Sequence, residues 1–125
     1  MSKASWMFNL KDDPRGIARE LAKGINASIF PGENVMLSVV HVEPHSTGAV
    51  HSHPEEQWGV LLEGECVRIQ NGEEIQAKAG DFWCTPGGVP HGVRTGAIGC
   101  TILDIFSPPR AEYKKAGTGF GNAKR

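Results

Sequence analysis

The chain has little that would direct it to a membrane, a nucleic acid or an oxidising compartment. None of its 125 residues belongs to an apolar run of eighteen, so no transmembrane helix is expected. Lysine and arginine number 13 against 14 aspartates and glutamates. The formal net charge of -1 creates no field toward nucleic acid or an acidic membrane surface. The stretch Met1–Trp6 lacks the apolar core of a signal peptide, so a cytoplasmic location is expected. The three cysteines, Cys66, Cys84 and Cys100, are odd in number and not closely spaced. They read as buried, reduced thiols and not as a disulfide framework. No internal repeat and no low-complexity tract is present. The length suits one domain with a real core and is too short for two.

What the chain does have is 16 glycines and 8 prolines spread at intervals, the mark of many short strands and turns. Asp12–Gly24 carries the one helical signal. Asp13 can cap it, Pro14 suits its first position, Gly24 suits its stop, and Ile17 and Leu21 would face the core four residues apart. Gly16 weakens that reading. Strands are expected at Ile25–Phe30, Val35–Glu43, Trp58–Glu63, Cys66–Gln70, Glu74–Ala77, Phe82–Thr85, His91–Arg94 and Gly99–Phe106. Pro31-Gly32 and Asn71-Gly72 are turns. The division expected is an N-terminal segment with a short helix (1–23), a barrel (24–110) and a C-terminal tail (111–125) partly ordered against it. The class is all-β, a sandwich or barrel.

Chemistry concentrates in His51-Ser52-His53-Pro54-Glu55-Glu56-Gln57. Histidines one residue apart share a face of an extended chain, and Gln57, four residues after His53, keeps that parity. A second stretch, Gly80 to His91, supplies a third histidine after a turn rich in glycine and proline. Neutral imidazoles bind zinc, copper, iron and nickel, and an amide oxygen is a weaker, uncharged ligand. His41 is either a pocket residue or a hydrogen-bonded structural one, and His45 is expected in solvent. Asp104 interrupts an apolar strand, which a carboxylate does only with a function or a partner; Arg68, Arg94 and Arg110 are the candidate partners.

These stretches resemble the two motifs of the cupins, small jelly-roll β-barrels. His51, His53, Gln57 and Gly64 follow the first, with glutamine where the family has glutamate. Gly80, Pro86, Gly88 and His91 follow the second, and Thr95 stands where asparagine is common. With Leu103–Arg110, the chain looks most like the pectin-degradation cupins, which convert 4,5-unsaturated uronates to linear 5-keto-4-deoxyuronate. The resemblance implies one divalent metal ion (nickel, zinc, iron or manganese) on His51, His53, Gln57 and His91. It implies a small anionic sugar-acid substrate and a homodimer, to which Trp6-Met7-Phe8 could contribute as readily as to a local core. Asp104 would carry the proton. Arg110 would hold the substrate carboxylate if it turns into the mouth and is not a solvated surface residue. Phe106 would wall the pocket, and Trp58, rather than Trp83, would stack on the sugar. A metal-dependent dioxygenase and a non-catalytic sugar- or metabolite-binding barrel are the alternatives.

Overall fold

A computed structural model describes residues 4–121. Strands β1 (Ile17–Ala22), β2 (Ile25–Pro31), β3 (Met36–Val42), β4 (Thr47–His51) and β5 (Glu56–Gln70) are followed by β6 (Glu73–Lys78), β7 (Phe82–Thr85), β8 (His91–Arg94) and β9 (Cys100–Ser107). A 3₁₀ turn, Ala111–Lys114, and a short β10, Gly117–Thr118, complete the chain. The main path of hydrogen-bonded neighbours is β10-β1-β2-β3-β9-β5-β8-β4, with β6 and β7 also on β5.

The expected N-terminal helix does not form. Ile17–Ala22 is a strand, antiparallel to β2 from Ile17↔Ile29 to Ala22↔Ile25. A spacing of four is even, so Ile17 and Leu21 share a face of a strand as well as of a helix. Arg19 settles the choice, because it is buried on the same side. Gly24, with φ +81°, turns the chain into β2. Asp13 caps no helix; its carboxylate accepts from the Arg15 backbone N–H (3.2 Å) and Nε (2.8 Å). Those bonds hold its pKa well below the usual carboxylate range.

β5 organises the barrel. Its first half pairs with β9 and β7, its second with β6 and β8. The changeover is at Gly64, whose φ is +84° and whose added Cβ would lie 2.0 Å from the Gly99 carbonyl oxygen. Only glycine allows both the left-handed turn and that approach. The two strands expected on either side of Gly64 are therefore one bent strand.

Alternate residues fill the interior: Ile25, Ala27 and Ile29 from β2, Met36, Val40 and Val42 from β3, Leu61 and Cys66 from β5, Ile102 and Phe106 from β9. Each large aliphatic buried in this way stabilises the fold by about 1.5–3 kcal/mol. Cys66 and Cys100 are buried, Cys84 is half-buried, and all three are free thiols. Phe8 packs on Phe30 (ring centroids 5.2 Å apart) beneath Arg15, while Trp6 and Met7 stay exposed. The tail is ordered as far as Gly121: Tyr113 is buried and β10 runs parallel to β1. The expected fraying falls at 122–125, outside the described residues. Among the described residues no helix is long and apolar enough to cross a membrane.

Candidate metal centre

Strand pairing assembles the three imidazoles. His51 ends β4 and His91 begins β8, and they are direct register partners. His53 follows in the short loop to β5. The ring centroids lie 4.6 Å (His51–His91), 4.9 Å (His53–His91) and 5.9 Å (His51–His53) apart. One nitrogen from each ring falls within 4.8 Å of the other two.

Their second nitrogens are committed elsewhere. Each Nδ1 faces a backbone carbonyl two residues away: His51 that of Ala49 (2.9 Å), His53 that of Glu55 (3.1 Å), His91 that of Val89 (2.9 Å). A carbonyl can only accept, so each Nδ1 carries the proton and each Nε2 keeps its lone pair. Burial pushes the His51 pKa down to about 4 and that of His91 to about 3, and it also lowers that of His53. The nearby Arg110 and Arg68 guanidiniums add to the depression. All three rings are therefore neutral near pH 7. His91 Nε2 is buried with no hydrogen-bond partner. An orphaned lone pair costs about 1–3 kcal/mol unless something binds it. Three neutral imidazoles whose Nδ1 atoms face backbone carbonyls, the Nε2 of His53 lying against Gln57 Oε1 and that of His91 unbonded, fit a divalent metal such as nickel, zinc or iron.

Gln57, on β5, is buried beside them, its Oε1 2.9 Å from His53 Nε2. Its amide also reaches Asp104 of β9, so it sits between a candidate ligand and a carboxylate. Asp104 faces the cavity between Ile102 and Phe106. Burial pushes its pKa up to about 6, against the lowering influence of Arg68, Gln57 and Arg110. The expected ion pairs to Asp104 are not made: Arg94 pairs with Glu74 on the surface at 2.6 Å, and the carboxylate nearest Arg110 belongs to Glu55. Arg110 is not a surface residue. It is 1% exposed and lines the cavity, with Nε 3.8 Å from Glu55 Oε1. Neither of those two atoms has a hydrogen-bond partner among the described residues. Phe106 walls the cavity edge-on to His53, its centroid 5.7 Å away.

Trp58 is not in this group. It is 41% exposed on the outer face, near Phe82, with Nε1 donating to Glu56. The reason is parity: if Gln57 points inward, its neighbour must point outward. Trp83, opposite Gly59, is the tryptophan that turns inward, under the Arg68 guanidinium. His41 is exposed, 3.3 Å from Thr101 Oγ1, and His45 is exposed in a loop as expected. Two cavity residues are not read as such from the sequence, where Arg68 is offered only as a partner for Asp104. Arg68 is buried and donates to Thr85 Oγ1 (2.7 Å); its parity with Cys66 on β5 was the available signal. Phe120, from the tail, had no signal in a glycine-rich polar segment.

The geometry agrees with what known proteins share with this chain. The pectin degradation protein KdgF of Dickeya dadantii is 29% identical over 96 residues, covering 75% of this chain and 87% of that protein. Among solved structures, an RmlC-like cupin from Shewanella frigidimarina superposes with a TM-score of 0.75 at 24% identity, covering 87% of this chain and 96% of that one. KdgF from Halomonas sp. superposes with a TM-score of 0.70 at 24% identity, covering 76% and 90%. The polyketide cyclase RemF from Streptomyces resistomycificus gives 0.70 at 22%, covering 84% and 82%. The cupin domain profile matches residues 38–106, more than half of the chain, from inside β3 to the end of the cavity-lining part of β9. With that match and its curled sheet, the chain belongs to the cupin domain family.

Proposed function

We propose that this cupin is a metal-dependent enzyme that opens 4,5-unsaturated uronate monosaccharides and tautomerises them to linear 5-keto-4-deoxyuronate. The observation that carries the reading is the convergence of three neutral imidazoles, a half-buried carboxylate and a buried guanidinium on one cavity. The relatives named for pectin degradation support the substrate class.

Arg110 would hold the sugar carboxylate, because its planar fork matches a carboxylate two-pronged and Nε makes no hydrogen bond among the described residues, only a long ion pair to Glu55. Asp104 would accept the proton of the anomeric hydroxyl. As that O–H breaks, the aldehyde C=O forms and the ring C–O bond is released, leaving an enolate at C5. Asp104 would return the same proton to C4, so the reaction is an isomerisation with no net proton change. His51, His53, His91 and the Gln57 amide oxygen would hold the metal, whose charge would stabilise oxyanions formed beside it. With glutamine in place of glutamate the ligand set is uncharged, which favours an anionic guest. Phe106 and Ile102 would exclude water from the sugar's apolar edge. Exposed Trp6 and Met7 support a homodimer as part of the proposal, testable by sedimentation.

The test is an ultraviolet assay of metal-loaded protein on freshly lyase-generated unsaturated uronate. Loss of the conjugated absorbance faster than the spontaneous rate is expected. A rate equal to the spontaneous one would remove the reading.

A further inference from the structure

The tail beyond the cupin match supplies Arg110, Tyr113 and Phe120 to the cavity wall. The Phe120 ring lies 4.4 Å, centroid to centroid, from His51, with 30° between the planes. Its backbone carbonyl accepts from Arg110 Nη2 at 2.6 Å. Gly48 of β4 leaves room for the ring: a Cβ there would lie 3.0 Å from Phe120 Cζ. Gly121 crosses the guanidinium so closely that its own Cβ would lie 2.9 Å from Arg110 Nη2.

The base of the tail is fixed and its tip is hinged. Arg19 donates to the carbonyls of Glu112, Thr118 and Gly119, each at 2.8 Å. The Gly119 N–H donates to Glu20 O at 2.7 Å. Phe120 itself hangs between Gly119 (φ +84°) and Gly121 (φ +86°), two positions where a change of φ meets little steric resistance. With the tip in place the cavity measures about 40 Å³. That is room for a few waters, at about 10–15 Å³ each.

We propose that Gly119-Phe120-Gly121 is a gate over the site, that Arg110 is its latch, and that Phe120 sets the size of the acid admitted. The inference rests on the functional reading in taking the guest to be a sugar acid and Arg110 to hold its carboxylate. A guest carboxylate and the Phe120 carbonyl compete for one guanidinium. The carboxylate is charged and two-pronged, and such bonds are roughly twice as strong as those to a neutral carbonyl. The guest therefore releases the latch by occupying it, and the ring swings off His51.

The test uses nickel-loaded full-length protein with two inert probes, D-galacturonate and acetate, followed by calorimetric titration. Phe120→Ala should bind galacturonate about tenfold more tightly than the unaltered protein, with acetate affinity unchanged within about twofold. Equal or weaker galacturonate binding by Phe120→Ala, or binding by neither protein, would overturn the gate; weaker binding would make Phe120 a contact wall. A second measurement needs no variant: galacturonate should speed hydrogen exchange at residues 120–121 while leaving Gly119 protected. Slower exchange at the tip would also overturn it. If both results hold and unsaturated uronate is not turned over, the gate stands and the proposed reaction falls.

Discussion

Strands β2 and β9 follow the same rule and arrive at different ends. On β2 the inward positions Ile25, Ala27 and Ile29 are all apolar and all buried. On β9 the inward positions Ile102 and Phe106 bracket Asp104. Both strands belong to one sheet, on either side of β3. The difference is what each faces. β2 packs mostly on hydrocarbon, with Ile25 alone of its three inward residues lining the cavity. β9 faces a cavity lined by His91, whose Nε2 is buried with no hydrogen-bond partner among the described residues, and by Arg110, whose Nε has only the Glu55 carboxylate, 3.8 Å away. A core built for stability satisfies or removes such atoms, so their concentration at one place marks a surface shaped for a guest.

The contrast can be broken from either side. Asp104→Asn should lower turnover of unsaturated uronate by about 100- to 10,000-fold, the usual range for a positioned acid–base group. Metal content and melting temperature should stay put; unchanged turnover would take Asp104 out of the mechanism. The matching change on β2, Ile29→Ala, should do the reverse. It should cost about 2–5 kcal/mol of stability in denaturant melts, with a normal metal stoichiometry and rate per folded molecule.

Acid should separate the two regions next. In the metal-free protein the depressed pKa values of His51 (about 4) and His91 (about 3) mean that the folded pocket refuses protons which the unfolded chain accepts from its ordinary value of 6.5 downward. The contribution is fully present above 6.5 and is lost as pH falls toward 4 and then 3. The slope is at most about 1.4 kcal/mol per pH unit for each ring. Urea melts between pH 7 and pH 4 would show it, and a flat profile would contradict neutral buried imidazoles. The smallest effect is expected outside the barrel: Trp58→Ala should change stability by no more than about 0.5 kcal/mol and leave the KM for uronate unaltered.

Much of this was legible in the residues because parity is a strict code. Alternation marked most of the strands, and the even spacing of His51, His53 and Gln57 placed them together. The same code, applied one step further, would have sent Trp58 outward. It could not tell β1 from a helix, because Ile17 and Leu21 satisfy both periods, and the deciding residue, Arg19, looked like an ordinary surface cation. The pairing of His51 with His91 needs a register that links residues forty apart, and no local pattern carries that. The tail was the least legible part. Its composition suggests a loose end, yet its carbonyls satisfy a buried guanidinium roughly a hundred residues upstream.

That last contact has a consequence for how the molecule is made and lost. Arg19 belongs to β1, but its acceptors on Glu112, Thr118 and Gly119 leave the ribosome roughly a hundred residues after it. Until they arrive, β1 has an unmatched cation where the finished protein keeps it out of water. A protease that trimmed the chain ahead of Glu112 would remove those carbonyls together with the Tyr113 ring over the guanidinium, so clipped copies should melt at a lower temperature than the whole protein.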